Sequence, residues 1–374
     1  MSVTLNGTSG LVFGDGTIQG TAAGNSFRNR IINGDMRIDQ RNAGASTSEG
    51  GNYTLDRWAN FSTQSSKFTT QRNAGSVTPP PDFVNYLGFT STSAYTVLST
   101  DTFGVNQPIE GINVADFAWG TANAQTAAVS FWVRSSIAGT HSGAIGNSND
   151  TRGYPFSYTI TSANTWEYKT ITVPGDTTGT WATDNTASIK IKFNLGTGAN
   201  RLGTAGTWVS ADRVGATGSV SIVGTSGATF YVTGVQFEKA AAATSFEHRP
   251  IGTELALCQR YYENSYPVGA AAGSTQVSSP QGGTFMWATR SDGWYGSMQS
   301  GSTQFKVPKR SSPGLRYWDF AGNLSRVGVL YGSANFVVNG GSPVSGSSTN
   351  GFYADVNTVA NSTVFIYWEA NAEL

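Results

Sequence analysis

Only 12% of the 374 residues are charged, and 23 basic residues balance 23 acidic ones to a net charge of zero. A nucleic-acid binder normally needs a basic face to displace counterions from phosphates, and no Lys/Arg run of that kind occurs in the sequence, so nucleic-acid binding is not expected. Low charge with 46 glycines and 12% aromatics predicts β-structure rich in turns, not long helices with Lys and Glu on their outer faces.

The single cysteine, Cys258, rules out an intrachain disulfide. The opening residues carry neither a basic nor an apolar stretch, so no export signal is expected. No apolar run approaches the ~18 residues that span a bilayer, so no membrane insertion is expected.

Residues 1–26 read as a stem-like segment of short, weak β-strands, with Val3, Leu5, Leu11, Val12, Phe13 and Ile18 among Gly, Asn, Asp and Thr. So few residues cannot bury a core alone, and they are predicted to pair with other chains. Residues 27–250 read as a jelly-roll or β-sandwich domain. Its predicted strands are 83–90, 127–133, 155–161, 166–173, 188–195, 219–223 and 229–237, with turns between and no helical pattern. In 188–195, Ile189, Ile191, Phe193 and Leu195 share one face and Lys190 and Lys192 the other. Trp58, Trp132 and Trp368 lie in apolar strand contexts and read as core.

A linker helix is predicted at 253–263 within a linker of 251–264. Thr253 caps it, Glu254 suits its dipole, and Leu255, Cys258 and Tyr262 form an apolar stripe between two domains. Residues 265–374 read as a C-terminal all-β sandwich. Its strands fall near 284–289, 294–298, 304–307, 315–320, 325–330, 335–339, 351–356 and 362–369, and 340–350 reads as a loop. The whole is all-β with one short helix.

Catalytic signatures are sparse. His141, in an expected loop, and His248, beside Arg249-Pro250, are the only histidines, and neither adjoins a nucleophile motif. There is no Gly-x-Ser-x-Gly elbow and no phosphate loop. One cysteine and two distant histidines make no zinc set. Asp101, Glu110, Asp116, Glu167, Asp176 and Asp184 supply carboxylates, but most neighbour Gly, Thr or Asn and read as turn-forming. No enzymatic activity is expected.

Several ordered segments are similar to a family of phage tail-fibre proteins common in cyanophages and marine phages. They are Phe27-Arg28-Asn29-Arg30-Ile31-Ile32-Asn33-Gly34-Asp35-Met36-Arg37-Ile38, Tyr53-Thr54-Leu55-Asp56-Arg57-Trp58, Ser130-Phe131-Trp132-Val133-Arg134, Gly175-Asp176-Thr177-Thr178-Gly179-Thr180-Trp181, Gly227–Glu238, Phe246-Glu247-His248-Arg249-Pro250 and Gly252–Tyr262. The resemblance covers about residues 27–263. It implies a virion structural protein, a homotrimeric fibre attached to other tail proteins through its N-terminus and touching the host envelope with its distal end. The expected partner is a host-surface glycan, bound without cleavage. A glycan depolymerase and a purely structural connector are the rival readings.

Sugar sites combine aromatic faces with hydrogen-bonding side chains. The expected receptor residues lie in the C-terminal domain: Trp294, Tyr295, Tyr317 and Trp318, with Asp292 and Asp319. Trp181 and Trp208 are the loop-borne candidates in the middle domain. Asn33-Gly34-Asp35 resembles part of a structural calcium site of carbohydrate-binding jelly rolls, which makes Asn33 and Asp35 the candidate metal ligands. No other cofactor is expected.

Overall fold

The computed structural model describes residues 4–6, 10–12, 18–19, 27–48, 51, 53–267, 269–275, 284–287, 297–331, 334–338, 344–358 and 362–374. At the N-terminus, Thr4–Asn6, Gly10–Val12 and Ile18–Gln19 pair as a small antiparallel sheet.

Alternation builds the middle domain. In Ala187–Thr197, Ile189, Ile191, Phe193 and Leu195 face the core, and Lys190 and Lys192 project from the other face. Twelve strands arrange into two six-stranded antiparallel sheets. The front sheet runs Glu167–Val173, Ala127–Ser135, Thr229–Glu238, Leu87–Ser91, Phe68–Arg72 and Thr47–Ser48. The back sheet runs Gly153–Ile160, Gly139–Asn147, Ala187–Thr197, Thr102–Glu110, Trp58–Ser62 and Tyr53–Leu55. Val129, Phe131, Val133, Phe230 and Val232 of the front meet Trp58, Phe103, Ile145, Phe156 and Phe193 of the back in one core. Each such side chain contributes about 1.5–3 kcal/mol by leaving water, before conformational entropy is charged against it. The domain is a jelly-roll-type β-sandwich, as the alternation predicts.

Three local expectations shift. The strand predicted at 83–90 begins at Leu87, because Asp82 turns the chain at φ 69° and Val84 is solvent-exposed. Residues 219–223 make no strand; Ile222 and Val223 are core residues on a loop whose N–H groups donate to Leu195 O. His141 lies in Gly139–Asn147, not in a loop. It is buried, stacked between Tyr158 and Phe230, and its Nε2 is 2.9 Å from Ile137 O. Burial holds its imidazole below the usual histidine range.

The helix runs Ile251–Gln259, two residues earlier than predicted. Pro250 presets the entry at φ −54°, so Thr253 lies inside the helix and caps nothing. Tyr262 is not on the helix. Tyr262–Asn264 is already a strand, paired antiparallel with Ser362–Asn371 of the C-terminal domain. Cys258 and Tyr261 are fully buried beside Ile32, Ile38, Leu255 and Leu374, so the helix packs between residues from both ends of the described chain. Burial raises the Cys258 thiol well above the usual range, and only the thiolate reacts readily. Cys258→Ala is expected to cost about 1–2 kcal/mol of packing, and the native thiol to resist a thiol reagent until unfolding. Rapid labelling of the native protein would contradict both.

The C-terminal domain is a second β-sandwich. Ser362–Asn371 is its hub, pairing with Tyr262–Asn264, Thr284–Trp287, Gly314–Trp318 and Val327–Tyr331, and Ala334–Val338 extends the last. The facing sheet is Ser297–Gln304, Gly351–Thr358 and Val344–Ser347. The last of these is a strand inside the segment read as a loop. Phe305, Phe352, Val364, Ile366 and Trp368 fill the space between.

Candidate functional site

The outer face of the front sheet carries an open hollow of about 840 Å³. A β-bulge builds its floor. Ser130 pairs with Gln236 but Trp132 pairs with Thr233, so Thr229–Glu238 holds one extra residue there. The extra residue changes which positions face the core: Phe230 and Val232 before it, Val235 and Phe237 after it. Gly234 sits in the bulge at φ 60°, and a Cβ there would lie 2.6 Å from the Phe83 ring. Only glycine satisfies both the backbone and the ring.

Phe131 points into the core, so its neighbour Trp132 points out. Across the strand pair Trp132 faces Tyr168, with ring centroids 5.5 Å apart. Trp132 is half-buried and Tyr168 is 42% exposed, leaving an aromatic platform open to solvent. The wall is a second aromatic group. Phe83, Phe246 and His248 meet with centroids 4.9–5.4 Å apart.

Two buried side chains hold that wall. Gln236 Nε2 donates to Glu238 Oε1 at 2.8 Å and to Ser245 O at 3.2 Å, and Gln236 Oε1 accepts from Glu247 N at 2.9 Å. Glu238 Oε1 accepts the Thr244 N–H at 2.8 Å. Both are almost wholly buried, so these bonds fix the 244–247 backbone rigidly. Thr244, Ser245, His248 and Asp82 add polar groups to the lining. Ring faces beside hydroxyl, imidazole and carboxylate groups suit a ligand with apolar C–H faces and hydroxyls at its edges.

The expected sites lie elsewhere. Asp292, Trp294 and Tyr295 fall outside the described residues. Tyr317 and Trp318 are buried, Tyr317 between the C-terminal sheets and Trp318 against Tyr266 on the opposite face. Asp319 is buried too, and its carboxylate closes a turn on the N–H groups of Ala321 and Asn323 at 2.9 Å each. These three are therefore corrected to structural roles. Trp181 and Trp208 pack edge-on against Trp119 and each other, and their indole N–H groups donate to Thr178 O and Pro174 O. They brace the end of the sandwich.

Asn33 and Asp35 do not fit a calcium ion. The Asn33 amide donates to Ile38 O and Asp56 O, and its Oδ1 accepts from Ile38 N. Asp35 pairs with Arg37 through Oδ2, which leaves one buried oxygen, Oδ1, without a partner. Calcium takes six to eight oxygens, and among the described residues no three His, Cys, Asp or Glu side chains gather to hold a metal. The six carboxylates are all engaged: Asp101 by Tyr95, Glu110 by Arg260 and Tyr261, Asp116 by Arg30, Glu167 by Lys169, Asp176 by Arg152 and Asp184 by Thr186.

The chain is a nearly all-β protein with an aromatic hollow on the outer face of the front sheet. No protein-family model matches the chain, and no curated protein matches it significantly. Among solved structures, the enzymatically active domain of tailspike protein 4 from bacteriophage CBA120 is 12% identical with a TM-score of 0.31. The match covers 57% of this chain and 22% of that one, so this protein spans about a fifth of that chain's length. TmCBM61 in complex with β-1,4-galactotriose is 10% identical with a TM-score of 0.30, covering 57% and 99%. A family 11 carbohydrate-binding module from Clostridium thermocellum, in complex with a β-1,3-1,4-mixed-linked tetrasaccharide, is 16% identical with a TM-score of 0.26, covering 54% and 98%. Among the described residues no helix is long and apolar enough to cross a membrane.

Proposed function

We propose that the chain is a non-enzymatic adhesion module that binds a host-surface glycan in the front hollow. The observation that carries this reading is the Trp132–Tyr168 platform, open to solvent under a wall pinned by Gln236 and Glu238. A sugar ring lays its C–H face on the aromatic pair and turns its hydroxyls to Asp82 and Ser245, the Thr244 hydroxyl being already engaged by Glu238 and Gln236. Among the described residues Asp82 is the one carboxylate in the lining, whereas glycoside hydrolysis ordinarily uses two opposed carboxyl groups. This favours binding over cleavage.

The wider setting, a homotrimeric phage tail fibre joined to other tail proteins through its N-terminus, rests on the segment resemblance over residues 27–263. A trimer would raise a weak single-site affinity by ~10²–10⁴ when its sites engage together. Light scattering on the intact chain is expected to return three copies; a monomer at micromolar concentration overturns that part.

The binding claim is tested by titrating intact protein with oligosaccharides cut from purified host polysaccharide. Trp132→Ala is expected to weaken binding at least about ten-fold, ~1.4 kcal/mol, without changing the unfolding midpoint. Tyr168→Ala should act in the same direction. Unchanged affinity in both variants removes the hollow as the site, and released reducing ends would replace adhesion with depolymerisation.

A further inference from the structure

The back sheet has an outer face of its own, and residues 198–224 pack over part of it, around Ser142 and Asn194. Gly215 lies so close to Ser142 and Asn194 that a Cβ would come within 2.5 Å of Ser142 Oγ. The rest is an open groove of about 330 Å³ over the strands Trp58–Ser62, Thr102–Glu110 and Ala187–Thr197. Its floor is the Phe61 ring. Phe61 pairs with Gly104, and a Cβ at Gly104 would meet that ring at 2.4 Å. Glycine therefore lets the ring lie across the strand, partly buried.

Charge collects beside this ring. Lys192 is almost buried and fixed by Asp212, with Asp150 Oδ1 and Arg213 O each at 3.4 Å. Lys190 Nζ reaches the two oxygens of Asp150 at 3.2 and 3.1 Å. Arg201 shares Asp212 with Lys192. Three cations thus divide two carboxylates, in a groove that also presents the amide of Asn106, the register partner of Lys192. Asp150 and Arg201 are both nearly half-exposed in their side chains, and an ion pair in such a setting opens at little cost.

The geometry points to a second saccharide site, distinct from the front hollow, that takes an acidic sugar. Its ring lies on Phe61, and its carboxylate or sulfate replaces Asp150 on Lys190 and engages Arg201. Among the described residues the front hollow has no Lys or Arg in its lining, so the two sites differ in the charge they accept. This inference does not depend on the front site being correct.

The test titrates the intact chain with oligogalacturonate, oligomannuronate and a sulfated galactan oligomer, each beside its methyl-esterified or desulfated counterpart. At least one acidic oligomer is expected to bind, more weakly as salt rises, with its neutral counterpart about ten-fold weaker or worse. Phe61→Ala and Lys190→Ala should each lower that affinity about ten-fold with unchanged unfolding midpoints, while Trp132→Ala leaves it unaltered. Failure of all three acidic oligomers to bind at millimolar concentration overturns the proposal. So does equal binding of charged and neutral forms, or indifference to both groove variants. Loss of binding in Trp132→Ala alone would assign the acidic ligand to the front hollow instead.

Discussion

Replacing Glu373 with Ala is expected to lower the unfolding free energy by about 3–5 kcal/mol. Two arginines of the middle domain converge on this one carboxylate near the end of the chain. Arg57 donates to Glu373 Oε2 through Nη1 and to Pro108 O through Nη2, and its guanidinium lies 3.7 Å from the Tyr261 ring centroid. Arg41 reaches Glu373 Oε1 at 2.9 Å and lies 3.6 Å from the Tyr262 ring centroid. The Arg57 side chain is 1% exposed and that of Glu373 6%. Without the carboxylate Arg57 has no ion-pair partner among the described residues and Arg41 keeps only Asp56, at 3.8 Å, in a medium that solvates both poorly, and arginine cannot shed its proton to escape. The junction also joins the domains, so the variant should unfold in two steps where the parent unfolds in one. Urea denaturation followed by tryptophan fluorescence reads both effects. A loss below about 1 kcal/mol would mean that water reaches the cluster. The double change Arg57→Met with Glu373→Met should recover only the part of the loss that comes from Arg57, because Arg41 is still left with Asp56 alone, at 3.8 Å.

The fold was legible where a side chain's direction depends only on its neighbours in the chain. The alternation through Ile189, Ile191, Phe193 and Leu195 placed those residues in the core and the two lysines outside. The bulge was also written locally, in the change of parity between Val232 and Val235. The apolar run 127–133 was more misleading. Read as a buried strand it puts Trp132 in the core, yet adjacent strand residues point to opposite faces, and Phe131 already occupies the inside. Tyr317 and Trp318 posed the same question with a different outcome. They too point apart, but both faces of their strand are covered, by Phe305 and Phe352 on one side and by Tyr266 on the other.

The wall of the hollow had no local signal. Phe83 reaches Phe246 and His248 across some 160 residues of chain, and neither segment announces the other. The helix boundary failed for a related reason. Local pattern carried the helix through Tyr262, but pairing with the distant Ser362–Asn371 draws Tyr262–Asn264 into a sheet instead. A long-range ladder outweighs weak helix propensity at a frayed end.

Glu263→Ala should cost a similar amount, about 3–5 kcal/mol near pH 7, but with a different response to pH. Glu263 accepts the Lys309 ammonium at 2.7 Å and the Lys306 N–H at 3.1 Å, and both charged side chains are buried to within 1%. Lys309 also donates to Val307 O at 2.7 Å and sits 4.6 Å from the Phe305 ring centroid. Burial already holds its ammonium below the usual lysine range, with Glu263 opposing that shift. Removing Glu263 takes away the opposition and depresses the folded-state value further. The unfolded chain then binds a proton that the folded variant has released, so the variant's stability rises with pH through that interval and levels off near the unfolded lysine value of about 10.4. The deficit relative to the parent should therefore shrink between pH 7 and 10. That of Glu373→Ala should not shrink in the same way, because the arginines it strands keep their protons. Parallel urea titrations at pH 7, 8.5 and 10 separate the two behaviours. A Glu263→Ala deficit that stays constant over this range would mean that Lys309 moves into solvent once its partner is gone, and a Lys309→Met change in the same background would then restore nothing.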